Sequence, residues 1–169
     1  MALVDDILTQ LPLQQISDQV GVSPDQVESV IQDSLPALLG GMDKNVQSDD
    51  GAASLANALG AHADANPLGN LGGLISGALG SGILEKVLGG STPDVSDAIA
   101  KNKDGVSGGD VQKILAIVAP LVMAFLAKKA TSGGKADTGT VKDVVSKANS
   151  EAKASSPDIG SILGAIFGR

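Results

Sequence analysis

A Ser-His-Asp relay in this chain would have to use His62, the single histidine among 169 residues, and there is no cysteine to serve as nucleophile instead. Asp64 follows two positions later and serines are plentiful, so the parts of a Ser-His-Asp relay are present. Residues two apart on a helix do not face each other, however, and His62 sits in an alanine-rich stretch, so it reads as a surface side chain. Carboxylates are paired at Asp5-Asp6 and Asp49-Asp50. The first pair suits the positive end of a helix and the second a solvated loop; neither lies in apolar sequence that would raise a pKa for general-acid work. Between Met42 and Ser54, Asp43, Asn45 and Gln47 imitate a calcium loop, but Ser48 replaces its turn glycine and Ser54 its bidentate glutamate. The stretch Gly72–Gly82 lacks the lysine and the preceding strand of a phosphate loop. Without cysteine, thiolate nucleophiles, Cys-ligated zinc and iron–sulfur clusters all drop out. No catalytic residue, metal ligand or cofactor is therefore expected.

Charge narrows the partners. The net charge is −7, yet residues 1–100 hold 13 acidic and two basic side chains, whereas 101–169 hold six acidic and ten basic ones. A solvated lysine-bearing tail is the plain reading of that asymmetry, attraction of an acidic partner the sharper one. Met1 to Asp6 shows neither a basic region nor an apolar core of a signal peptide. Leu68–Leu84 and Ile114–Ala127 are uncharged, but the first is interrupted by six glycines and the second has a buried core helix's length. A soluble, cytoplasmic protein is expected.

Chemistry being scarce, the elements carry the argument. Leu3, Val4, Ile7, Leu8 and Leu11 recur at helical spacing up to Pro12, and Leu13 to Val20 forms a second short helix. After Gly21, Ser23 caps a helix whose first position is Pro24; its apolar residues run from Val27 to Leu39, and Gly40-Gly41 reads as its end. A polar loop is expected over 42–51, an alanine-rich helix over 52–59 and a Leu/Gly segment over 68–88. Its glycines at 69, 73 and 77 would admit a close backbone neighbour. Helices follow over 93–100 and 110–129, then a weakly amphipathic one carrying Val141, Val144, Val145, Ala148 and Ala152. No run alternates like a strand, so the fold class is all-α.

A shift of 84 residues lays Gly21-Val22-Ser23 on Gly105-Val106-Ser107, Val27 on Val111, Pro36 on Pro120 and Lys44 on Lys128. An interior proline ordinarily costs a helix ~3 kcal/mol, so its recurrence in register suggests a shared bend or break. The expected architecture is a compact helical domain over 1–130. It has two pseudo-symmetric helix-turn-helix halves around a central Gly/Leu helix, marked by Gly21, Ser23, Pro36, Gly105, Ser107 and Pro120. Residues 131–169 then form a polar linker, a weak helix and a short apolar C-terminal helix. A DNA-reading use of the first half meets an electrostatic obstacle, because Asp25, Glu28 and Asp33 on its second helix would repel phosphates.

Leu35-Pro36-Ala37-Leu38-Leu39-Gly40-Gly41, the Gly51–Leu55 helix, the Gly69–Gly90 segment closing on Val87-Leu88-Gly89-Gly90, and Ile117–Met123 form a recurring set. Over roughly residues 15–130, this set resembles the YidB-like family of bacterial domain-of-unknown-function proteins. The resemblance implies an all-helical cytoplasmic protein without an assigned activity, and it carries over no functional residues. The remaining suggestive feature is apolar: Ile159, Ile162, Leu163, Ile166 and Phe167 close a polar tail and call for burial. They would fold back, meet another copy or touch a membrane surface. The expected function is a non-catalytic protein-interaction or self-association module, its partner protein and including itself. Peripheral membrane or lipid binding and helix-turn-helix DNA binding are the alternatives.

Overall fold

The structure, a computed structural model, describes residues 2–63, 78–131, 137–155 and position 164. All regular structure among them is helical: α1 Ala2–Gln10, α2 Leu13–Val20, α3 Pro24–Val46, α4 Asp49–Ala63, α5 Ala78–Leu88, α6 Thr92–Lys101, α7 Gly108–Thr131 and α8 Thr138–Ser155. A short 3-10 turn at Gly89–Ser91 joins α5 to α6.

The entry to α3 is over-determined. Gly21 stands at φ +86° and donates its N–H to the Ser17 carbonyl, which only a residue without Cβ does at no steric cost. The Ser17 hydroxyl donates to the Val22 carbonyl at 2.6 Å and pins the turn from inside. Ser23 then closes a capping box: its hydroxyl accepts from the Gln26 N–H, and the Gln26 side-chain oxygen accepts from the Ser23 N–H. Gly105, at φ +77°, opens the way to α7 in the same manner, with Ser107 and Asp110 exchanging the corresponding bonds.

Three sequence expectations need correction. Gly40-Gly41 does not end α3, which runs on to Val46. The expected loop over 42–51 shrinks to Gln47 and Ser48, because Met42 and Val46 are buried and draw the last turn onto the core. The alanine-rich helix starts earlier, at Asp49. Gly41 is explained by packing: a Cβ there would stand 2.5 Å from the Val87 carbonyl oxygen, so glycine lets α5 cross α3 backbone to backbone. Both interior prolines, Pro36 and Pro120, are buried in unbroken helices, which removes the expected helix break as an option. Of the Leu/Gly segment, residues 68–77 lie outside the described ones.

α7 is the axis of the molecule. Fourteen of its 24 residues are buried, on all sides, the pattern of a helix enclosed by others. α4, α5, α6, α3, α8 and α2 all touch it. By length and hydropathy α7 also meets the requirement for crossing a membrane, but 72% of its most apolar window is buried within the protein. α3 packs along α8, whose Val141, Val145, Ala148 and Ala152 form one stripe of helical spacing buried in the same core as α3 and α7.

Candidate functional site

Several polar side chains hold helices together. Lys103, in the turn after α6, ion-pairs with Asp33 at 2.8 Å and donates to the Ser29 hydroxyl. The Gln26 amide donates to the Asp104 carbonyl at 2.8 Å, so the turn preceding Gly105 is clamped onto the start of α3. On the other flank Asp43 accepts from Ser146 at 2.6 Å and from the Asn149 amide at 3.2 Å, tying α8 to α3. The Asn149 side-chain oxygen is buried and takes no hydrogen bond.

Among the described residues two carboxyls have shifted titration. The Ser107 hydroxyl, and after it the Ser107 N–H, hold Asp110 below the ordinary aspartate range. The Thr140 N–H does the same for Asp137, which caps the start of α8. Both are helix-start carboxylates, so their shifts report capping and not catalysis. Among the described residues no group of three or more His, Cys, Asp or Glu side chains is arranged to hold a metal ion.

Two pockets with room for a ligand are found among the described residues: one of about 530 Å³ lined by Leu84, Glu85, Gly89, Gly90, Thr92, Gln112 and Ala116, and a more apolar one on the far side of α5 from Glu85. The more apolar pocket, of about 510 Å³, opens between the end of α3, α4, α5 and Met123 of α7. Its position follows from two glycines. Gly41 brings α5 against α3, and at Gly51 a Cβ would fall 1.9 Å from the Asn45 carbonyl oxygen, so α4 starts directly on the end of α3. The Asn45 amide donates to the Lys86 carbonyl at 3.0 Å and locks the polar corner where the three helices meet. From that corner Gly51, Leu55 and Ala58 run along one face of α4 while Lys86, Ile83 and Gly82 run along α5. Nothing lies within 4 Å of where a Gly82 Cβ would stand.

The residues singled out in the sequence fare unequally. Gly21 and Gly105 both take positive φ, Ser23 and Ser107 both cap, and Pro36 and Pro120 are both buried. Ile159, Ile162, Leu163, Ile166 and Phe167 lie outside the described residues, as does Asp64; His62 falls within α4. Asp6 pairs at 3.9 Å with Lys129, and Asp49 at 3.6 Å with Lys142 on α8. The stretch from Met42 to Ser54 is the α3–α4 corner and not a loop. Sequence reasoning missed the pocket, although one signal was present: Lys44 and Lys86 are the two bases among the first hundred residues, and Lys86 is at its rim.

The sequence model of a family described as bacterial protein of unknown function (DUF937) matches residues 3–129, in keeping with the YidB-like resemblance. No curated protein and no solved structure is similar enough to match.

Proposed function

The chain belongs to the DUF937 family of bacterial proteins of unknown function, and from that premise we propose that it is a non-catalytic helical scaffold of the cytoplasm that works by binding protein, a second copy of itself included. The supporting observation is the fate of the polar groups. The buried hydroxyls of Ser17, Ser34 and Ser96 each donate to a nearby main-chain carbonyl, at 2.6, 2.5 and 2.8 Å, and the carboxylates of Asp33, Asp43, Asp110 and Asp137 serve an ion pair, helix-to-helix hydrogen bonds and caps. In this reading recognition falls to the apolar residues Ile159 to Phe167 of the sequence.

In this reading the scaffold is two pseudo-symmetric helix-turn-helix halves. In the 84-residue register, buried Val27, Val30, Ile31, Leu38 and Met42 coincide with buried Val111, Ile114, Leu115, Val122 and Leu126. The self-association element is Ile159, Ile162, Leu163, Ile166 and Phe167, a short apolar set on a polar tether, a recognised route to oligomers. Light scattering across a concentration series tests it. The full chain should exceed a monomer's mass, and Ile162→Asp with Phe167→Asp should return it to one. A strict monomer for the unaltered chain at every concentration refutes self-association. Lipid contact is the second reading, favoured by the apolar pocket; the acidic residues of α3 weigh against DNA.

A further inference from the structure

We propose that the pocket between α4 and α5 binds a single-chain aliphatic carboxylate, with the tail along Leu55, Ala58, Ile83 and Met123 and the carboxylate at Lys86. The inference does not depend on self-association.

Three properties of the pocket select that class. Its volume, about 510 Å³, lies in the range of small-molecule sites. Apart from Asn45, Ser54 and Lys86, its lining side chains are aliphatic or thioether, with no aromatic ring to stack on a flat ligand, so a slender flexible chain fits better than a ring system. Its polarity is graded along one axis. Asn45 and Lys86 meet at one end through their 3.0 Å hydrogen bond, while Leu55 and Ala58 lead away from it, one and two turns along α4. From Gly51 to Ala58 is about 10 Å of helix, which sets the length of tail the groove covers.

Charge supplies the head group. The surrounding N-terminal hundred residues hold 13 acids against two bases. Lys86 is one of those bases, and it has no ion-pair partner among the described residues. The acidic surroundings repel a free carboxylate at long range, so the attraction has to be local: the Lys86 ammonium at the rim offers an anionic head group a direct ion pair and a cationic one only repulsion. Gly82 keeps the far side of the groove open, in a helix that any other small residue would strengthen.

Titration calorimetry on the full chain tests this with octanoate, decanoate and dodecanoate, each kept below the concentration at which it aggregates. Affinity should rise about fourfold per added methylene until the tail outgrows the groove. Decanoate should bind better than 1-decanol by up to about fivefold, and Lys86→Met should erase that difference. Gly82→Leu should abolish binding while the helical spectrum and thermal midpoint are kept or raised; Ala58→Leu, from the opposite wall, provides the same test independently. The proposal is overturned by the absence of saturable binding at every chain length. It also fails if affinity is independent of chain length and lost in salt, or if binding survives in folded Gly82→Leu and Ala58→Leu. Binding to phosphatidylglycerol vesicles without binding to the free carboxylates overturns it too.

Discussion

α3 and α7 start alike and finish in different company. Each is entered through Gly-Val-Ser with the glycine at positive φ, each is capped by a serine that exchanges bonds with the residue three positions on, and each carries a buried interior proline. Past the proline they part. Position 41 is glycine under the Val87 carbonyl; its counterpart in the 84-residue register is Phe125, half-buried, with the Lys129 ammonium 5.3 Å from the ring centre. The cap differs as well. Gln26 is neutral and has a spare amide that reaches Asp104, whereas Asp110 is charged and spends its carboxylate on Ser107. The local code thus sets how a helix begins, and the neighbours set what its far half must be.

The comparison breaks most visibly at position 41. Gly41→Phe makes the two registers alike there and drives a side chain into the backbone of α5, so it should cost about 3 kcal/mol or more in urea unfolding. A mild effect would mean that α5 does not press on α3. The turn glycines come next. Gly21→Ala should cost about 1–2 kcal/mol from the left-handed backbone alone. Gly105→Ala should cost more, because its Cβ would also stand 3.1 Å from the Gln26 amide nitrogen. Equal losses would remove the clamp between the two turns.

The caps sharpen the difference through pH. Ser23→Ala and Ser107→Ala should each cost about 1 kcal/mol near neutrality. Asp110 has a lowered pKa in the folded state, chiefly from the Ser107 hydroxyl. Its contribution is therefore complete above the unfolded value of about 3.9 and fades as pH falls through the lower folded value. The denaturation midpoint of the unaltered protein should drop below about pH 4, and Ser107→Ala should flatten part of that drop. Ser23→Ala should leave it intact, since Gln26 does not titrate. The smallest expected effect is at Lys103→Met, about 0.5–1 kcal/mol, because its partner Asp33 still meets water.

The legible part of the fold was the part governed by adjacent residues. Pro12, Gly21, Ser23-Pro24, Gly105 and Ser107 act on their own turn of backbone, and the starts of α2 and α3 were placed from them. The stripe Val141, Val145, Ala148, Ala152 was visible as a helix, but not that it would lie along α3. Gly40-Gly41 misled because a glycine pair has two uses. It stops an isolated helix, and it also permits a crossing, which here depends on Val87 46 positions away in sequence. The pocket was not legible for the same reason: Asn45, Gly82, Lys86 and Met123 share no local pattern and meet only through two glycine-mediated contacts.

By itself, then, the amino-acid order determined an aromatic-poor, cysteine-free, all-helical chain with two similarly capped proline-bearing helices, since helix period, caps and composition act within a turn or two. Tertiary structure decided that α3 continues past its glycines, that α7 is enclosed on all sides, and that Lys86 stands at the rim of an apolar groove. Those outcomes depend on which backbones approach closely enough to exclude a Cβ, a condition that exists only once distant segments have packed.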